Sequence, residues 1–209
     1  MITSALDKKS RDLLSPDAVL ADLKAGNERF IKEKMLQRCY PKQVEATVGG
    51  QFPKAVILSC IDSRVPVETI FDQGIGDIFV ARVAGNFENT DMLGSMEYSC
   101  KVAGSKLVVV LGHEACGAVK AACDGVELGN ITALLSNIKP AVTLAKTQVS
   151  GKTDSSNADF VAKTVELNVK LTIDRIREKS AILKNMEDEG EIKITGGVYQ
   201  LRTGKVAWL

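Results

Sequence analysis

The chain has 209 residues, of which 45% are hydrophobic and 25% are charged. Its 27 basic and 26 acidic residues give a net charge of +1. These are the values of an ordinary globular protein, and they give no electrostatic reason to expect a nucleic acid, an anionic membrane or a polyanionic substrate as a partner.

The N-terminal part of the chain begins with a predicted helix. Ser15 is typical of a helix N-cap, and Pro16 of the first helical position. Apolar residues then recur at mostly helical spacing at Val19, Leu20, Leu23, Phe30 and Ile31. The pattern predicts a helical arm over about residues 15–36. Residues 37–51, which contain Pro41 and a pair of glycines, read as an irregular connection.

Three short apolar runs without alternation come next, at residues 55–59, 77–82 and 106–111. Such runs are typical of strands that are buried on both faces. Residues 89–102, between the second and third runs, have helical spacing. The alternation of strand and helix predicts an α/β fold with a central, mostly parallel sheet flanked by helices.

The second half of the chain continues this alternation. Helical patterns recur in three segments, at residues 115–123, 131–147 and 158–179. Two apolar runs at 192–194 and 198–201, a Thr203-Gly204 turn and a run at 205–208 predict a closing strand or hairpin. Because there is no internal repeat, we expect a single domain over residues 1–209.

Nothing in the chain indicates export or membrane insertion. Residues 1–9 lack the apolar core of a secretory signal, and no apolar run approaches the roughly 18–20 residues of a membrane span. The five cysteines are an odd number and show no disulfide-framework spacing, which favours a reducing compartment. We therefore expect a cytoplasmic protein.

The only histidine, His113, stands three residues before Cys116 and 53 residues after Cys60. Two cysteines and a histidine suit tetrahedral zinc, and three protein ligands leave the fourth position open, as in catalytic sites. Cys60 follows the first predicted strand and His113 follows the third, so both should lie at the carboxyl edge of the sheet. The sequence predicts a catalytic zinc site, with Asp62 and Arg64 as charged neighbours.

Other interpretations explain fewer of these residues. A Cys60–His113 nucleophile–base pair is chemically possible but leaves Cys116 without a role. A cysteine phosphatase loop needs a glycine-rich phosphate cradle, which the three residues between Cys60 and Arg64 do not supply. Asp62 and Arg64 by themselves would be an ordinary surface ion pair. The remaining cysteines are expected to be small buried hydrophobic residues: Cys39, Cys100 and Cys123.

The run Cys60-x-Asp62-Ser63-Arg64, followed by His113-x-x-Cys116-Gly117, resembles the two-part zinc signature of the β-class carbonic anhydrases. Further similar segments are Gln51-x-Pro53-Lys54, Arg82-Val83-Ala84-Gly85-Asn86, Glu97-Tyr98 and the tail at 198–206. The resemblance therefore covers the chain from about Ser15 onward. It departs at Ile61, Val83 and Glu114, where the family often has other residues, and none of these is a predicted metal ligand.

This resemblance implies the reversible hydration of carbon dioxide to bicarbonate and a proton, by attack of zinc-bound hydroxide. One zinc ion per chain would be held by Cys60, His113 and Cys116. Asp62 would accept the hydrogen of the hydroxide, and Arg64 would keep Asp62 ionised and oriented. Zinc-dependent hydrolysis of carbonyl sulfide or carbon disulfide is an alternative on the same scaffold. A non-catalytic zinc-binding protein is a remote one.

The same resemblance extends to the substrate pocket and to assembly. It implies that Gln51 donates to a substrate oxygen, that Phe79 and Tyr98 wall an apolar pocket, and that Gly117 belongs to the substrate site. Part of that wall comes from a neighbouring subunit in the family. A homodimer, or a homotetramer built from two dimers, is therefore implied, with the N-terminal helical arm in the contact.

Some members of the family close their site at low pH by moving the signature aspartate onto the metal. Those members carry a tryptophan in the N-terminal region, whereas the only tryptophan here is Trp208. Gln51, Phe79 and Tyr98 match the open pattern instead. We therefore expect an open site.

Overall fold

The computed structural model describes residues 1–209, and its centre is a five-stranded sheet. The strands are β1 (Ala55–Ser59), β2 (Ile78–Arg82), β3 (Leu107–His113), β4 (Lys193–Tyr199) and β5 (Val206–Trp208). They lie in the order β2-β1-β3-β4-β5. The first four are parallel to their neighbours, and β5 is antiparallel to β4. The predicted α/β fold with a mostly parallel sheet is confirmed.

Ten α-helices and one π-helical turn surround the sheet. In the first half these are α1 (Lys8–Asp12), α2 (Pro16–Ile31), α3 (Tyr40–Thr47), α4 (Val67–Ile70), α5 (Thr90–Glu97) and the π-helical turn Tyr98–Val102. The second half contains α6 (Gly117–Cys123), α7 (Gly129–Ser136), α8 (Lys139–Lys146), α9 (Ala158–Lys179) and α10 (Ala181–Asp188). No helix combines the length and the apolar character that crossing a membrane requires.

Strands β1 and β3 are completely buried, and their side chains alternate between two cores. Ala55 and Ile57 pack in the core on the side of α2 and α4. Val56 and Leu58 pack in the core that contains buried residues of α9 and α10. Because both faces are covered, these strands are continuous apolar runs with no polar alternation, as the sequence predicts.

The predicted helical arm corresponds to α2, which begins at its Ser15 N-cap and ends at Ile31. The Ser15 side chain accepts a hydrogen bond from the Ala18 N–H at 3.2 Å. Val19 and Leu23 are fully buried against strands of the same chain. Contacts within one chain do not test the expected contact of this helix with a neighbouring subunit, which stays a prediction.

Several predicted elements have different boundaries in the structure. The irregular connection at 37–51 contains α3, which begins with Pro41 in its first turn, where proline is well tolerated. The single helix expected over 131–147 is divided into α7 and α8, with Pro140 in the first turn of α8. The two runs at 192–194 and 198–201 fall largely in one strand, β4, which then turns through Gly204 into β5. The predicted closing hairpin is confirmed.

Candidate metal centre

Three side chains from the carboxyl edge of the sheet meet at one point. Strands β1 and β3 are adjacent and parallel, and Ser59 is in register with Leu111. Cys60 follows β1 directly, and His113 is the last residue of β3, so the strand extends two residues beyond its predicted end. Cys116 is the N-cap of α6. All three residues are buried, with exposed fractions of 4%, 0% and 1%.

The ligand atoms of Cys60, His113 and Cys116 all lie within 4.8 Å of one another. The two sulfur atoms are 4.0 Å apart. Two thiolates at the usual Zn–S distance in a tetrahedral site are separated by about 3.8 Å. The spacing therefore fits a zinc ion held between the sulfur atoms.

The His113 ring is oriented to present one nitrogen to this site. Its Nδ1 lies 2.8 Å from the Glu114 carbonyl oxygen, a contact that places the ring proton on Nδ1. Its Nε2 is completely buried and has no hydrogen-bond partner. A buried nitrogen without a partner is unfavourable unless its lone pair is used. A metal ligand would use it, and the donor set fits zinc.

The two ligand cysteines share a proton. The hydrogen bond from the Cys116 thiol lowers the pKa of Cys60 to about 4. The same hydrogen bond, together with burial, raises the pKa of Cys116 above its usual range. Cys60 is therefore the cysteine that ionises first, and its thiolate favours a cation between the sulfur atoms.

Asp62 and Arg64 form a bidentate ion pair beside the ligands. Arg64 Nε and Nη2 donate to the two carboxylate oxygens at 2.9 and 2.7 Å, and the Arg64 backbone N–H donates at 2.9 Å. The guanidinium holds the pKa of Asp62 well below its usual range. Asp62 Oδ2 is 3.9 Å from His113 Nε2, so the carboxylate borders the metal centre as an anion.

Arg82 has a part in this centre that its place in a family-like segment did not specify. It ends β2, in register with Ser59 at the end of β1. Its guanidinium donates to the carbonyl oxygens of Cys60 at 2.8 Å and Asp62 at 2.6 Å. Arg82 thereby fixes the backbone that carries both a metal ligand and the anionic neighbour. A contact to backbone oxygen leaves no residue pattern, so only the family-like Arg82–Asn86 segment pointed to this position.

The expected pocket residues are not all brought together in a single chain. Phe79 and Tyr98 are neighbours, with ring centroids 6.3 Å apart, and both line a cleft of about 650 Å³ along edge strand β2. Gln51 is exposed and does not line this cleft. Gly117 begins α6 next to Cys116, with open space around its α-carbon.

The cleft is displaced from the metal ligands along the sheet. Phe79 is in register with Val56, four residues before Cys60. At the usual strand rise of about 3.3 Å per residue, that separation is roughly 13 Å. Phe79 and Tyr98 therefore wall a surface of the chain that is separate from its own metal ligands.

The other cysteines have no role in the centre. Cys100 and Cys123 are buried, as predicted. Burial raises the pKa of the Cys100 thiol to about 12 and also raises the pKa of Cys123. Cys39 is only half-buried, because it stands at the surface as the N-cap of α3.

Comparisons with known proteins agree with this geometry. The model of the family described as carbonic anhydrase matches residues 55–206. Carbonic anhydrase 2 of Mycobacterium tuberculosis is 36% identical over 200 residues, covering 91% of each chain. The carbonic anhydrase of Mycolicibacterium smegmatis is 33% identical over 198 residues, covering 92% of each.

Two solved structures share the fold. The β-carbonic anhydrase CafA of Aspergillus fumigatus superposes with a TM-score of 0.71 at 27% identity, covering 92% of this chain and 89% of that one. The Coccomyxa β-carbonic anhydrase, in complex with acetazolamide, gives a TM-score of 0.72 at 26% identity, covering 91% and 86%.

Proposed function

The chain belongs to the β-class carbonic anhydrase family, and from this premise we propose that it catalyses the reversible hydration of carbon dioxide to bicarbonate and a proton. The observation that carries the proposal is the convergence of Cys60, His113 and Cys116 at the carboxyl edge of the sheet. Zinc, when bound there, lowers the pKa of a water molecule from 15.7 to about 7 in well-studied enzymes, which supplies hydroxide near neutral pH.

We propose that Asp62 is the residue that accepts a hydrogen bond from the attacking oxygen. Its carboxylate borders the three ligands and is ionised, so it acts only as an acceptor. The bidentate bond to Arg64 fixes its direction. An acceptor held in one direction turns the lone pair of the nucleophile toward the substrate carbon, which lowers the barrier through orientation.

Protons produced by hydration must leave without a second histidine. His113 is the only histidine of the chain, and its Nε2 is assigned to the metal. We therefore propose that proton release uses water, a tyrosine, a carboxylate or external buffer.

We propose that the working unit is at least a homodimer and that a partner subunit completes the substrate pocket. Phe79 and Tyr98 lie on the exposed β2 cleft, away from the metal ligands of their own chain. In a dimer, Phe79 and Tyr98 of one subunit would form a wall of the pocket at the metal ligands of the other subunit. By family analogy, Gln51 and Gly117 would complete the site from the metal side. A related fold from Sordaria macrospora is described as tetrameric, and a dimer of such dimers is the larger assembly that we propose.

We also propose a cytoplasmic location. All five cysteines are free thiols in the structure, including three that are not metal ligands. Free thiols favour a reducing compartment.

The proposed function is tested by measuring zinc content and carbon dioxide hydration on the purified protein. The wild type is expected to hold one zinc per chain and to catalyse hydration, and acetazolamide is expected to inhibit it. Cys60→Ser and His113→Ala should lose metal and activity together, because all three ligands serve one ion.

Cys123→Ser is the matched control, because Cys123 is also buried but contacts Thr164 and not the metal ligands. It should keep both zinc and activity. Stoichiometric zinc in either ligand variant would contradict the metal assignment. Zinc-loaded wild type that hydrolyses carbonyl sulfide or carbon disulfide but leaves carbon dioxide unhydrated would contradict the substrate assignment.

A further inference from the structure

Gly85 lies against one of the metal ligands. Its backbone N–H donates to Cys60 Sγ at 3.4 Å. Gly85 has a φ of +85°, and a Cβ at this position would lie 2.5 Å from Ile138 Cδ1. Only glycine fits here, and glycine has the greatest freedom to change conformation. The N–H belongs to the Ala84–Gly85 peptide, and it stays directed at the sulfur if the Gly85–Asn86 peptide that follows is also held, because φ and ψ of Gly85 are then fixed between two anchored peptides.

Asn168 of α9 holds the Gly85–Asn86 peptide. Its side-chain Nδ2 donates to the Gly85 carbonyl oxygen at 2.7 Å, across 83 residues of sequence. Asn168 is 1% exposed, and its Oδ1 is buried without a hydrogen-bond partner. Burying an amide oxygen unpaired is unfavourable, whereas a leucine of similar size would fill the same space without that cost. Packing alone therefore does not explain an asparagine at this position.

Helix α9 is itself seated at a fixed depth on the sheet. A Cβ on Gly112 would lie 2.7 Å from Val169, and a Cβ on Gly196 would lie 2.5 Å from the same side chain. These two glycines let α9 approach β3 and β4 closely. Gly112 directly precedes His113, so the helix that carries Asn168 also rests on the strand that supplies the histidine ligand. Asn168 is thus presented to Gly85 from a rigid support.

We propose that Asn168 is a positioning residue of the metal centre, which acts on Cys60 through Gly85. By fixing the Gly85–Asn86 peptide, it restricts the backbone torsions of Gly85 and so keeps the Gly85 N–H on the sulfur. Hydrogen bonds to ligating groups orient them and tune the metal, and their loss commonly weakens metal affinity by roughly 10- to 100-fold. The inference depends on the metal centre proposed above.

The test compares Asn168→Leu with the wild type in two measurements that do not use turnover. Zinc affinity, measured by competition with a chromophoric chelator, is expected to fall roughly 10- to 100-fold. In the cobalt-substituted protein, the thiolate-to-cobalt charge-transfer band is expected to move to longer wavelength. The sulfur loses an N–H donor and holds its electrons less tightly, which accounts for that direction.

Asn27→Leu is the matched control. Asn27 is also a buried asparagine, 3% exposed, and its Nδ2 donates to a loop glycine carbonyl, that of Gly204, at 2.8 Å. It lies on α2, away from the metal ligands. Its loss should lower the melting temperature without changing zinc affinity or the cobalt spectrum. A merely structural Asn168 would behave in the same way.

Wild-type zinc affinity and an unshifted cobalt band in Asn168→Leu would overturn the inference. If that variant does not fold, Asn168→Ala, which adds no bulk, gives the same two readouts. Failure of the metal centre itself is recognised separately, because the wild-type protein would then bind neither zinc nor cobalt at these ligands.

Discussion

The Asp62 carboxylate is held by three donors that belong to one residue, the backbone N–H and two guanidinium nitrogens of Arg64. Arg64 is about half-exposed, so water competes for its hydrogen bonds and the pair adds little to stability. Asp62 is 16% exposed and lies 3.9 Å from His113 Nε2. The main effect of this ion pair is therefore to fix the direction of the Asp62 carboxylate, which is an anionic hydrogen-bond acceptor.

Asp62→Asn is expected to keep zinc and fold but to turn over more slowly by roughly tenfold to a thousandfold, the range for loss of one positioned electrostatic or proton-handling group. The amide is no longer a purely accepting anion, and Arg64 loses its partner. Elemental analysis measures the zinc content, circular dichroism reports the fold, and stopped-flow hydration of carbon dioxide measures the turnover.

Asp188→Asn is the control, because Asp188 is an exposed carboxylate that pairs with Lys184 at the end of α10. It should match the wild type in all three measurements. Unchanged turnover in Asp62→Asn would falsify the proposed role of Asp62.

The metal ligands could be predicted from the sequence, but the residues that hold those ligands in position could not. Cys60, His113 and Cys116 are rare residue types at a diagnostic spacing, and each follows or ends a recognisable strand. The Arg82 guanidinium binds backbone carbonyl oxygens, and Gly85 acts through its backbone N–H, so one side of each contact is a backbone group that nearly every residue possesses. No pattern of residue types distinguishes such contacts, so they appear only when the chain is folded.

At the scale of elements, a buried carboxylate secures the connection between α2 and α3. Asp72 is fully buried and accepts hydrogen bonds from Arg29 at 2.5 Å, from Arg38 and from the Leu36 N–H. Burial alone would raise the pKa of Asp72, but the hydrogen bonds from Arg29 and Arg38 outweigh it and hold the pKa below its usual value. The Asp72 side chain, two residues beyond the end of α4, thus anchors the connection between α2 and α3.

Asp72→Asn is expected to lower the free energy of unfolding by about 3–5 kcal/mol, because removing one partner of a buried pair leaves the other charge uncompensated. Arg38, whose side chain is 5% exposed, is that charge. Urea unfolding at pH 7 measures the loss. Asp188→Asn, which removes an exposed carboxylate paired only with the exposed Lys184, should change stability by less than about 0.5 kcal/mol.

The effect of Asp72 should depend on pH in one direction. Its pKa is lowered in the folded state, whereas an unfolded aspartate has a pKa of about 3.9. The unfolded chain therefore takes up the proton first, and the stabilisation is complete above about pH 4 and is lost as the pH falls toward the folded pKa. The difference in stability between wild type and Asp72→Asn should shrink below about pH 4. A constant difference from pH 7 to pH 3 would contradict this account.

Strands that are buried on both faces could be predicted from their apolar composition. Helices whose start or hydrogen-bond pattern depends on local backbone geometry could not. β1 and β3 are buried on both faces, so their composition alone marks them. Helix α3 contains Pro41, which reads as a helix breaker although it is acceptable in a first turn. The π-helical turn at Tyr98–Val102 extends α5 without any change in composition. Hydrogen-bond registers of this kind are decided by tertiary packing.

At the scale of the whole molecule, two short elements each carry a group of neighbouring exposed apolar side chains. Tyr40, Val44 and Val48 are 51%, 53% and 83% exposed, and their spacing of four residues places them on one face of α3 and its C-cap. Tyr98 and Val102 are 56% and 71% exposed on the π-helical turn beside the β2 cleft. We propose that these two groups belong to the dimer contact, together with the predicted contact of helix α2.

We expect light scattering to give a mass of at least twice the 22.5 kDa of one chain. Val102→Asp should shift the protein toward the monomer and lower activity with it, because a buried unpaired charge opposes the contact and the pocket then lacks its second wall. Leu128→Asp, at a residue that is 63% exposed at the start of α7 and outside the cleft, should leave both unchanged. A fully active monomer of the wild type would rule out the shared pocket.

The parallel sheet also has a consequence for the order of folding and zinc binding. Cys60 and His113 are 53 residues apart and meet only when β1 and β3 lie side by side. The loop between them must therefore close before both residues can bind one ion. The entropy of that closure is opposed by strand pairing and apolar collapse alone, since the ion has no assembled site to enter earlier. We therefore expect zinc to bind after the rate-limiting step of folding, so that it slows unfolding and leaves the rate of folding unchanged.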